Sequence, residues 1–261
     1  MDKVCKQASS AFSRCRVDIR PPFFDFVGID RADPSIARRL ASITISEVKQ
    51  PFERQPPRKV GELEQMVINE QQFIACPELV TNLLYDGFMM QRVFYSMLPE
   101  DERITEHLHI IFTSKLACTF SEDDWRYHAR ALVCGTPSII STSGIVEAPA
   151  KPREFYLYRA QAHYLSSQRE ARRDRDTDED KDKFAGQYID YHDKRITDAA
   201  IGYVYQATMF FITFGQPFCN LQNCRLYNSH WQSDLIRTQV LNPVICKRHK
   251  KLIDDFNKSA I

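Results

Sequence analysis

The sequence predicts an α/β protein: a mixed sheet packed with helices, followed by a C-terminal helical region gathered around a cysteine–histidine cluster. Three observations carry that prediction. Short runs with strand character fall at 23–29, 42–49, 107–116 and 127–145, interleaved with stretches of helical periodicity. A long, increasingly apolar segment stops at Gly215. Beyond it, Cys219 and Cys224 stand close together and are followed by "CKRH" at 246–249.

Taken in order, "FFDFVGI" reads as a first strand and "DPSIARRLA" as a short helix with Pro34 in its first turn. "SITISEVK" alternates in strand fashion, and the proline-rich stretch 50–60 reads as a surface loop. Between Pro77 and Pro99, Leu79, Leu83, Leu84, Phe88, Val93, Phe94 and Leu98 recur at helical spacing, which predicts one helix over 77–98. "HLHIIFTSKL" reads as a strand, and 127–145 as one or two more, broken at Gly135-Thr136-Pro137. Residues 151–173 read as a helix that runs into a charged loop, 168–185, whose mixed signs suit a solvated segment. The segment 187–215 is a helix whose buried stripe is Ile201, Val204, Tyr205, Thr208, Phe211 and Ile212, with Gly215 as the left-handed residue that ends it. The expected organisation is an α/β domain over 1–214 and a C-terminal region over 215–261 packed on it.

With 261 residues, 43% hydrophobic and 26% charged, the chain has globular composition. At this size roughly 70–75% of the unfolded surface can be buried, so a core does not depend on a metal or on disulfides. A net charge of +1 argues against affinity built on general phosphate neutralisation. No stretch approaches the ~20 apolar residues of a membrane span, and the first residues lack the apolar run of a secretory signal. The expectation is a cytoplasmic protein with no membrane partner, in which eight cysteines are more useful as metal ligands than as disulfides.

Three of those cysteines and one histidine have metal-ligand spacing. Cys219 and Cys224 form C-x4-C, and Cys246 and His249 form C-x2-H. Zinc takes four nitrogen or sulfur ligands in a tetrahedron, usually as two short-spaced pairs from separate turns. A set of three cysteines and one histidine leaves no open position, which implies a structural Zn2+; His230 is an alternative fourth ligand. Lys247, Arg248, Lys250 and Lys251 flank the ligands and offset the negative charge of three thiolates.

A long helix ending in glycine, then a cysteine, C-x4-C and a second short-spaced pair resembles the C-terminal part of archaemetzincins, a metzincin-type family of zinc peptidases. "GQPFCNLQNCRLYNSHWQSDLI" and "CGTPSIISTSGIVEAPAKPREFY" are also similar to an uncharacterised, mainly archaeal family of metallopeptidases. The resemblance implies a metzincin-like fold and a catalytic H-E-x-x-H-x-x-G-x-x-H-C string. With Cys219 on its last position and Gly215 on its glycine, the histidines fall on Thr208, Ile212 and Phe218 and the glutamate on Met209. Ile and Phe offer zinc no lone pair, and Met cannot take a proton from a metal-bound water. The expectation is a pseudoenzyme: structural zinc kept, catalytic zinc lost.

The other groups available to rebuild a site are His107, His109, His128, His163 and His192, with Asp123, Asp124 and Asp198. His107-x-His109 is the best of them, because alternate residues at the head of a strand face one side, and it stands as a weak second metal candidate. Cys76, Cys118 and Cys134 read as packing residues, while Cys5 and Cys15 lack a supported ligand spacing. Three functions follow. The first is a non-catalytic binding protein for a peptide or protein partner; the second is a zinc peptidase with non-standard ligands. The third is an RNA-binding zinc knot, using Arg225, Trp231, Lys247 and Arg248 as contacts.

Overall fold

The structure, a computed structural model, describes residues 1–30, 33–49, 60–76, 79, 83–167 and 183–259. Helices α1 (Asp2–Ala11), α2 (Phe23–Phe26), α3 (Pro34–Ser42) and α4 (Val60–Ala75) precede β1 (Leu84–Asp86) and α5 (Gly87–Tyr95). Then come β2 (Ile110–Thr113), β3 (Leu116–Ser121), β4 (Arg126–Ala129), β5 (Leu132–Val133) and β6 (Ser138–Ser141). Helices α6 (Thr142–Glu147), α7 (Arg153–Ser167), α8 (Ile196–Ile212), α9 (Gln232–Ile236) and α10 (Lys247–Lys258) complete the order, with a π turn over Arg237–Leu241 extending α9.

The chain is of the α/β class, and its strands divide between two mixed three-stranded sheets. In one, β3 lies between β1, which is parallel to it, and antiparallel β4; in the other, β6 lies between parallel β2 and antiparallel β5.

Several local expectations change. Residues 23–26 are a helical turn rather than a strand. The 42–49 stretch makes isolated bridges, Thr44 to Tyr85 and Lys49 to Arg126, because it splits its pairing between β1 and β4. The long helix expected from Pro77 begins only at Gly87: Asp86 is its N-cap, accepting from the amides of Phe88 and Met89 at 3.0 Å, and the residues before it form β1. Helix α4 was not anticipated at all. Residues 50–59 and 168–182, which hold most of the two expected loops, lie outside the described residues.

Strand β6 organises the core. All four of its residues are buried, and successive side chains point to opposite faces, so Ile139 and Ile140, both 0% exposed, enter different hydrophobic clusters. Ile139 joins α3, α4 and α5 with Tyr85, Met90 and Phe94. Ile140 joins α1, α8 and the C-terminal residues Cys219, Cys224, Leu226 and Ile253, so this cluster runs through residue 214. Helix α1 is tied in by Phe12 against Tyr205, with ring centroids 5.4 Å apart, and by the Asn257 amide donating to the Ala11 carbonyl at 2.9 Å.

The helix expected from 187 begins only at Ile196, and instead of one buried stripe every residue of α8 from Ala199 to Met209 is buried, with Phe211 and Ile212 partly so. Its end is a Schellman turn: Gly215 N–H donates to Phe210 O at 2.9 Å, and Phe214 N–H to Phe211 O. The left-handed C′ position is therefore Phe214 (φ 52°), one residue earlier than expected, and Gly215 follows at φ 121°, where a side chain would strain.

Candidate metal centre

Once α8 has stopped, the chain folds back in two short turns that set the ligands. Cys219 N–H donates to Leu226 O at 2.8 Å, and Cys224 N–H to Leu221 O at 2.9 Å, so the C-x4-C stretch closes on itself. Arg225 N–H reaches Val244 O at 2.7 Å, bringing the second pair alongside the first. Cys246 is the N-cap of α10, and His249 lies three residues on, in the helix's first turn, where both face the same way.

The structure brings together Cys219, Cys224, Cys246 and His249, with one ligand atom from each inside a sphere where all lie within 4.8 Å of one another. Cys219 Sγ is 3.9 Å from Cys246 Sγ, Cys224 Sγ is 4.0 Å from His249 Nδ1, and Cys246 Sγ is 3.1 Å from the same nitrogen. Around one tetrahedral zinc, sulfur–sulfur separations are about 3.8 Å and sulfur–nitrogen separations about 3.6 Å. The donor set fits that ion in type, number and spacing. His230, the alternative fourth ligand, is exposed and does not belong to the cluster.

The protonation states agree with this. Burial pushes the Cys224 thiol up to about 12, so a metal must displace its proton. Burial also acts on Cys246, but the backbone N–H groups of His249 and Arg248 and its contacts with Cys224 and Cys219 outweigh it and hold that thiol below its ordinary value. Burial, helped by the Arg248 charge, lowers His249 and keeps its imidazole neutral, the form that binds metal. The amides of Leu221 and Cys246 point at Cys219 Sγ and Cys224 Sγ, each at 3.4 Å, and favour charged sulfur.

Upstream, the positions of the peptidase string carry no ligand. Met209 is fully buried, Thr208 donates its hydroxyl to Val204 O within its own helix at 2.9 Å, Ile212 packs against the core and Phe218 is exposed. The other candidates disperse: His128 pairs with Asp124 at 2.9 Å, Asp198 with Lys3 at 2.5 Å, and the His163 side chain lies outside the described residues. Cys118 is buried, Cys134 partly buried and Cys76 exposed, while among the described residues Cys5 and Cys15 join no metal-capable group.

The four residues named as nucleic-acid contacts separate. Lys247, Arg248 and Trp231 are exposed. Arg225 is buried, with its guanidinium donating to Gln239 Oε1 at 3.3 Å and Asp198 O at 3.2 Å and lying over the Tyr205 ring. Sequence reasoning missed Glu102, whose carboxylate joins His107 and His109 in a second metal-capable group. No signal in the sequence pointed to it beyond its place in an acidic turn.

Among the described residues, no helix is long and apolar enough to cross a membrane. No curated protein and no solved structure matches the sequence. Residues 1–256 match the model of the Probable metallopeptidase family (DUF6775). With the match running over nearly its whole length, the chain belongs to that probable metallopeptidase family.

Proposed function

We propose that the chain is a zinc-stabilised, non-catalytic binding protein on a metzincin-like scaffold related to the archaemetzincins, an archaeal pseudoenzyme that works in the cytoplasm. One observation carries this reading. A four-ligand cluster closes shortly after a helix that offers only Thr208, Met209 and Ile212 at the peptidase positions, with Phe218 at the last of them just beyond its end. A zinc ion in such a set supplies stability and no reactive water, because every position is taken by protein. The chain's residues then bind and position without hydrolysing. An extended peptide or protein segment fits best at β2, an edge strand of its sheet, where main-chain pairing gives affinity without chemistry.

The test joins metal content to a peptidase assay on the full chain. Zinc that is lost in Cys246→Ser, with no chelator-sensitive cleavage of unfolded protein substrates, is the expected pair of results. Chelator-sensitive cleavage would establish the peptidase that the family description names and end the non-catalytic reading.

One observation favours a second reading. Lys247, Arg248, Lys250 and Lys251 are all exposed on α10, and Trp231 is exposed nearby in sequence, the residue types that hold single-stranded RNA. Binding of an RNA oligonucleotide that weakens steeply with salt and is lost on replacing these four cations with Gln would move the function there.

A further inference from the structure

The geometry points to a second cation site, formed by Glu102, His107 and His109 at the head of β2, that takes a divalent first-row metal such as Zn2+ or Co2+. One carboxylate oxygen and one nitrogen from each ring lie within 4.8 Å of one another, close enough for modest side-chain movement to bring all three onto one ion. Two imidazoles with one carboxylate is a borderline donor set, suited to zinc or cobalt rather than to magnesium or calcium. With three protein ligands, water fills the remaining position.

Two of the three ligands are held in place before any metal arrives. His109 continues the β2 ladder, its carbonyl accepting from Ser138 N–H at 2.8 Å, and its ring is largely buried beside Phe26. Its Nε2 stands 3.4 Å from Glu102 Oε2 and 3.3 Å from the Glu102 carbonyl. Glu102 belongs to a turn fixed by Arg103, whose guanidinium donates to Leu98 O at 2.8 Å and Ser96 O at 3.0 Å. Arg20 takes the other carboxylate oxygen, Oε1, at 3.1 Å and leans on the Phe26 ring. That bond orients the carboxylate so that Oε2 faces the histidines, the role a supporting partner plays around a ligating carboxylate. His107 is exposed, its ring at 89° to that of His109 with centroids 6.3 Å apart, and completes the set by a small rotation.

The site differs from the cysteine cluster in every residue and contains no thiolate. It goes beyond the proposed function and asserts no hydrolysis. Bound metal would fasten the 99–109 turn to the segment around Arg20 and Phe26, next to the edge strand where a peptide would add.

The test is cobalt binding by the full chain, first loaded with one equivalent of zinc in the cysteine cluster. A further equivalent of Co2+ without sulfur-to-metal charge-transfer absorption is expected. His107→Ala, which alters only an exposed ring, should weaken that equivalent at least about tenfold, as should His109→Ala. His230→Ala should leave it unchanged, and Cys246→Ser should remove only the zinc. No further cobalt, or cobalt binding indifferent to both the His107 and His109 substitutions, would overturn the site. Peptide cleavage lost in His107→Ala would keep this site and overturn the non-catalytic reading instead.

Discussion

Cys246 Sγ and His249 Nδ1 lie 3.1 Å apart, presented from the N-cap and first turn of one helix, so α10 meets the cysteine cluster through two metal-capable side chains as well as packing through its apolar face. Removing one of them should therefore release the helix. Cys246→Ser is expected to lose bound zinc and to destabilise the protein by roughly 3 kcal/mol or more, given the ~10–16 kcal/mol apparent binding energy of structural zinc sites. Metal analysis with chemical denaturation measures both.

Zinc affinity should rise with pH through the neutral range. A thiol held up to about 12 by burial, as Cys224 is, carries its proton until the metal takes its place. Acid therefore favours the free thiol and metal loss, while alkali favours the bound state. Competition against a chromophoric chelator at several pH values should show this slope, and a flat profile would argue against thiolate ligation.

Lys115 and Glu70 form a buried ion pair, Nζ to Oε2 at 2.6 Å, with the Tyr85 hydroxyl donating to the same carboxylate. Glu70→Gln leaves the ammonium buried without its counter-charge and should cost about 3 kcal/mol. Burial lowers Lys115, so the fold holds that proton less tightly than the unfolded chain does. Stability is thus lost as pH falls through the folded value and regained toward the unfolded one. The defect of the variant should shrink as the solution is made alkaline, which urea titration can follow.

Asp193 is held below its ordinary value by the Arg195 side chain, and that guanidinium also donates to the carbonyls of Gly186 and Tyr188. A depressed carboxylate contributes stability that is full above its unfolded value and disappears as acid protonates it. Asp193→Asn should cost about 1 kcal/mol near neutral pH and almost nothing below the carboxylate range. Paired denaturation curves at the two conditions test the difference.

Gly202 sits where α8 meets the π turn, and a Cβ there would lie 1.8 Å from Gln239 Oε1. Gln239 in turn holds the Arg225 carbonyl and guanidinium. Gly202→Ala should destabilise by about 1–3 kcal/mol through overpacking, despite the better helix propensity of alanine. A melting temperature equal to that of the parent would show that Gln239 can move aside.

The cysteine cluster was legible in the sequence because short-spaced ligand pairs are a local property, and Cys219, Cys224, Cys246 and His249 needed only to be read off. Glu102 was not legible. Its approach to His109 depends on the turn after Pro99 and on the register of β2 against β6, neither of which leaves a spacing rule. Strands β2, β5 and β6 and most of β4 fall inside the runs read as strands, whereas β3 (Leu116–Ser121) was missed and the division into two sheets depends on long-range pairing. The late start of α5 could have been found, since Asp86-Gly87 is a capping signal overruled by the apolar periodicity around it. The buried Arg225 shows the reverse problem: a basic residue beside aromatic ones looked available to a partner, and the fold used it inside.

Ile139 and Ile140, adjacent on β6, make that strand a shared wall. Neither hydrophobic cluster can loosen without disturbing the backbone that supports the other, so the two ends of the molecule have no independent way to come apart. Zinc held beside α10 would therefore brace side chains as remote in sequence as Tyr85 and Phe94, although it would touch none of them. Metal-free protein would be expected to soften throughout, with slow amide exchange lost from α5 as well as from α10, rather than simply shedding its last helix.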